Sequence, residues 1–91
     1  MKTKFANLKI LHQLLERLRD DESIASSRVQ DLISIAQDEV IELEAASGPH
    51  FYRTDQALLE ARLFAMSSRI IDALYAAHSA VNIYLCERDA L

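Results

Sequence analysis

One glycine and one proline occur in the whole chain. They are adjacent, Gly48-Pro49, close to the midpoint of its 91 residues. The sequence on either side is rich in Ala, Leu, Ile, Glu and Arg, a composition that favours helices over sheets. Glycine suits the left-handed position just past a helix end. Proline cannot continue the hydrogen-bond ladder but fits the first turn of the next helix. The chain is therefore expected to be all-α, an antiparallel helical hairpin or three-helix arrangement that reverses at Gly48-Pro49.

A length of 91 residues suits one domain, residues 1–91, and is too short for two cores. A chain of this size buries only about 60% of its unfolded surface, so a partner often supplies part of its stability. The net charge of −4 hides a segregation. Residues 1–19 hold five Lys or Arg against Glu16 alone, whereas residues 20–47 hold eight acids against Arg28 alone. Phosphate recognition needs clustered basic surface, and Lys2, Lys4 and Lys9 are too sparse beside that acidic segment, so no nucleic-acid partner is expected.

The single Cys86 excludes an intrachain disulfide framework and fits a reducing compartment. The amino end lacks the apolar core and cleavage segment of a secretory signal. The uncharged run from Ala73 to Cys86 is fourteen residues long, short of the roughly 20 that span a membrane. These features lead us to expect a cytoplasmic protein with no membrane association.

Three helices are expected, at about 3–19, 23–46 and 50–87. Phe5, Leu8, Leu11, Leu15 and Leu18 form one amphipathic stripe, widened by Ile10 and Leu14. Asp20-Asp21-Glu22-Ser23 opposes the dipole of a helix carboxyl end and suits the start of the next helix. It marks a break, or else a single helix runs from Lys4 to Ala46. Val29, Leu32, Ala36, Val40 and Leu43 then form a heptad-like seam. The acids opposite, Asp31, Asp38, Glu39, Glu42 and Glu44, read as a solvated face or as a surface for a basic partner. Thr54 or Asp55 is the alternative helix cap after the turn.

The last arm carries two seams. Leu59, Leu63, Met66, Ile70 and Leu74, continued by Ala77, Val81 and Tyr84, form the expected core seam. Ala61, Phe64, Ser68, Ile71, Tyr75 and His78 form a second. A helix with a single neighbour needs only one stripe. The second seam is therefore covered by the amino-terminal helix, by a second copy in a homodimer or by another protein.

Catalytic chemistry is not expected. His12, His50 and His78 lie far apart in sequence with no His-x-x-x-His or Glu-x-x-His spacing, so neither a metal nor a cofactor is expected. His78 reads as a partly buried polar residue on the second seam, or as a pH-sensitive contact. Cys86 lacks an activating His or acid. Asp38 and Glu42 share a helix face, but a small hairpin offers no enclosing pocket to split their pKa values. One glycine cannot make a phosphate-binding loop.

The stretch Gly48-Pro49-His50-Phe51-Tyr52, then Gln56-Ala57-Leu58-Leu59-Glu60-Ala61, then Ile70-Ile71 and Tyr75, resembles the small co-chaperones of type III secretion needle subunits. The resemblance covers roughly Leu15 to His78. It implies a helical hairpin that binds a tetratricopeptide-type chaperone and keeps the needle subunit soluble before export. Carried over to this chain, it points to Tyr52, Leu59, Leu63, Ile70, Ile71 and Tyr75 as contact or core positions. With the second seam, the candidate partner-binding residues are Tyr52, Phe64, Ile71, Tyr75 and His78. The segments before Leu15 and beyond His78 depart from the family pattern. Two other readings stay open: a self-associating helical bundle, and an inhibitor whose acidic helix mimics nucleic acid.

Overall fold

The computed structural model describes residues 4–21, 23–47 and 52–90. It contains α1 (Ala6–Leu18), α2 (Ser26–Ser47), α3 (Tyr52–Met66) and α4 (Ile70–Glu87). The described residues include no strand, and the all-α expectation holds. Gly48, Pro49, His50 and Phe51 lie outside them, so the reversal expected there falls outside as well.

The break between α1 and α2 is real, and the single helix from Lys4 to Ala46 is not formed. The Asp21 carboxylate accepts the Ser23 backbone N–H at 2.9 Å and also the Ser23 hydroxyl. An aspartate that captures the backbone two residues on makes a local turn that competes with the helix. These hydrogen bonds hold the Asp21 carboxyl below its ordinary pKa.

A further break, unforeseen in the sequence, divides the expected helix 50–87 into α3 and α4. Ser68 takes the left-handed conformation with φ 59°. Its N–H donates to Ala65 O at 3.1 Å, and the Arg69 N–H reaches back to Phe64 O at 2.9 Å. This pair of reversed bonds is the Schellman ending, which satisfies the last carbonyls of α3. Asp72 in the first turn of α4 then pairs with Arg69 at 2.6 Å and complements the new helix dipole. The cause of the break lies in the core register. α3 buries Thr54, Leu58, Ala61 and Ala65, and continuing that spacing would bring Ser68 and Asp72 into the core. An unbroken helix of that length would span about 57 Å, whereas the longest extent of the molecule is 36 Å.

α4 is the hub and packs on all three other helices, most extensively on α3. It buries Ala73, Leu74, Ala77, Ala80, Val81, Tyr84 and Leu85, a stripe wide enough to serve several neighbours. Leu8, Leu11 and Leu15 of α1 and Val29, Leu32, Ala36 and Val40 of α2 complete the core, as the seams of those helices predict, joined by Ile33, which lies outside the expected seam. α4 closes with a second reversed ending, in which Asp89 has φ 55° and the Ala90 N–H donates to Leu85 O at 2.8 Å.

Glu44 corrects the picture of a wholly solvated acidic face. Asp31, Asp38 and Glu42 are exposed, but Glu44 is buried. Its Oε2 accepts from Arg88 Nη2 at 2.7 Å. The seam of α2 drifts around the helix over 22 residues, and Glu44 ends facing the carboxyl end of α4.

Candidate functional site

The expected core seam of the last arm holds only in α4. Leu74 is fully buried and Ile70 is half-buried against the core, but Leu59, Leu63 and Met66 are 57%, 54% and 65% exposed. The physical reason is that α3 is apolar on two nearly opposite faces. At 100° per residue, Leu59, Leu63 and Met66 share one face, and Leu58, Ala61 and Ala65 share the other. The face with two alanines lets α3 approach α4 closely, whereas the bulkier face would hold the backbones apart. The fold therefore turns the larger apolar stripe outward.

The α4 end of the second seam, Tyr75 and His78, lies against α1 and the residues that follow it. His78 faces His12 with ring centroids 4.6 Å apart. The Arg19 guanidinium lies 5.1 Å from the Tyr75 ring centroid, and the Tyr75 hydroxyl donates to Asp20 Oδ1 at 2.9 Å. That bond to a carboxylate raises the Tyr75 pKa. Phe64 and Ile71 are half-buried, with Arg69 over the Phe64 ring at 4.7 Å. The side chain of Tyr52 lies outside those described. Of the candidate partner-binding residues, then, Tyr75 and His78 are engaged within the chain, and the free apolar stripe is the one assigned to the core.

The meeting of His12 and His78 overturns the expectation that the histidines stand apart. His12 Nε2 lies 3.0 Å from Asn82 Oδ1, a contact bridging 70 positions of sequence. Glu16, one turn after His12, joins them: one ligand atom from each of His12, Glu16 and His78 lies within 4.8 Å of the others. His78 Nε2 is buried and has no hydrogen-bond partner among the described residues. Burial first, then the positive fields of His12 and Arg19, lower the His78 pKa, and Glu16 opposes them. His12 and Glu16 at i, i+4 and His78 and Asn82 at i, i+4 were legible as pairs, but their alignment across α1 and α4 was not.

An open groove of 320 Å³ lies between α1 and α2. Leu11 and Leu32 form its floor, and the exposed Ile10 and Ile35 its walls. Asn7 and Glu39 meet across one side at 3.4 Å, a long contact of little energetic weight. Among the described residues no helix is long and apolar enough to cross a membrane. Cys86 is exposed.

No family model matches the chain, and neither a curated protein nor a solved structure matches it.

Proposed function

We propose that this chain is a non-catalytic helical adaptor that docks on a partner protein through Leu59, Leu63 and Met66. One observation supports the reading: three large apolar side chains at i, i+4 and i+7 are more than half exposed on one helix. That spacing is the pattern by which a helix lays an apolar face into a groove. The resemblance around the turn and in the last arm gives the partner its class, a tetratricopeptide-type chaperone whose concave repeats accept a helix. The pair would act in the cytoplasm as a co-chaperone assembly that keeps a type III secretion needle subunit soluble before export. A polymerising subunit is held back when its apolar helices are offered an alternative apolar surface.

The test is size-exclusion chromatography with light scattering, on the chain alone and mixed with a tetratricopeptide-type needle chaperone. A complex that forms with the parent and is lost in Leu63→Asp, with helicity retained, supports the proposal. A parent chain that does not bind, or a variant that binds as well as the parent, overturns it. A chain that is dimeric on its own and becomes monomeric in Leu63→Asp assigns the stripe to self-association instead.

A further inference from the structure

We propose that His12, Glu16 and His78 form a binding site for a divalent transition-metal ion of the zinc type, pinning α1 to α4. Two imidazoles and a carboxylate are a zinc donor set, with the fourth tetrahedral position left to water. Three independent features of the cluster fit that role.

The first is convergence. Ligands about 2.0–2.2 Å from a tetrahedral ion sit roughly 3.3 Å from one another, and the three ligand atoms are already within 4.8 Å. Glu16 is exposed, so no core packing fixes its rotamer. The second is the orientation of His12. Its Nε2 is held by Asn82 Oδ1 at 3.0 Å. A metal-binding histidine characteristically donates one ring N–H to an oxygen, which fixes the tautomer and presents the other nitrogen to the ion. Asn82 supplies that oxygen from α4, one turn beyond His78.

The third is the state of His78. Its Nε2 is buried and makes no hydrogen bond to the described residues, although a buried polar atom is ordinarily satisfied. An ion held through Nε2 would satisfy it. The Arg19 guanidinium, whose positive field reaches His78, is directed onto Tyr75.

The experiment uses the full chain, stripped with chelator. Zn²⁺ is titrated by calorimetry, and Co²⁺ is added as a spectroscopic probe. The expected result is one ion per chain, with the visible bands of four-coordinate cobalt and a higher melting temperature in the presence of zinc. His78→Gln and Glu16→Gln should each weaken zinc binding by about tenfold or more, since even outer partners of a metal site are worth about 10–100-fold. Glu16→Gln changes an exposed position, so it decides the matter even if His78→Gln disturbs packing. A double variant, His50→Gln with Cys86→Ser, should bind as the parent does. Absence of zinc binding, six-coordinate cobalt spectra only, or affinity lost in the double variant but retained in Glu16→Gln would overturn the site.

Discussion

The Arg88 guanidinium donates to Glu44 Oε2 at 2.7 Å, fastening the residue that follows α4 to the last turns of α2. The Glu44 side chain is 6% exposed and the Arg88 side chain 19%. The Tyr84 hydroxyl also faces Glu44 Oε2, at 3.4 Å, too long to add much. Losing one member of a buried pair costs about 3–5 kcal/mol because the other charge stays desolvated. Arg88→Ala leaves the more deeply buried carboxylate without its guanidinium, whereas Glu44→Gln leaves an arginine that reaches water. We expect Arg88→Ala to cost about 3 kcal/mol and Glu44→Gln clearly less. Urea denaturation measures both, and the reverse order would show that Glu44 is not held by this pair.

Leu58 and Leu63 occupy opposite faces of α3, one 1% and the other 54% exposed. Leu58→Ala should therefore lower stability by about 2–5 kcal/mol. Leu63→Ala should stay within about 0.5 kcal/mol, as surface changes do. Equal losses in the two variants would place both faces of α3 in the core.

Ser68 is held at φ 59° without the glycine that suits such a position. The left-handed region costs an ordinary residue about 1–2 kcal/mol, while glycine loses roughly 0.5–1 kcal/mol more backbone entropy on folding. Ser68→Gly should accordingly raise stability by about 0.5–1 kcal/mol, the difference between those opposing effects. A lower melting temperature for Ser68→Gly would mean that α3 and α4 do not separate here.

His78 has a folded-state pKa below its ordinary value of 6.5, chiefly through burial. The unfolded chain therefore takes up the proton first as pH falls. Stability from the neutral imidazole is complete above about pH 6.5 and is lost as pH drops through that value towards the folded pKa. The groups facing it are His12, Glu16 and Arg19. In metal-free protein the melting temperature should fall between pH 7.5 and 5.5, as scanning calorimetry would record. His78→Gln should flatten that fall. An unchanged slope in the variant would assign the pH response to other groups.

The elements with one apolar face were legible in the sequence. Leu8, Leu11 and Leu15 in α1, and Val29, Leu32, Ala36 and Val40 in α2, are buried as their spacing predicts. α3 was not legible, because Leu59, Leu63 and Met66 make as good a stripe as Leu58, Ala61 and Ala65. Only the close approach to α4 decides between them. The Ser67–Arg69 break carries no glycine or proline, so its signal lies in the polar residues that an unbroken core stripe would have met. His12 and His78 are brought together by tertiary packing, which no spacing rule within one helix can anticipate.

Ala61 and Ala65 of α3 and Ala73, Ala77 and Ala80 of α4 are all fully buried. These alanine positions have almost no slack, because a methyl group has no rotamer that could change to make room. Any larger residue there acts as a wedge between two backbones, and overpacking of this kind costs about 1–3 kcal/mol. Sequence drift in this molecule is thus confined by size on the inner side of α3 and by chemistry on its outer side. A homologue could exchange Leu59, Leu63 and Met66 to suit a different partner while the alanine seam stayed as it is.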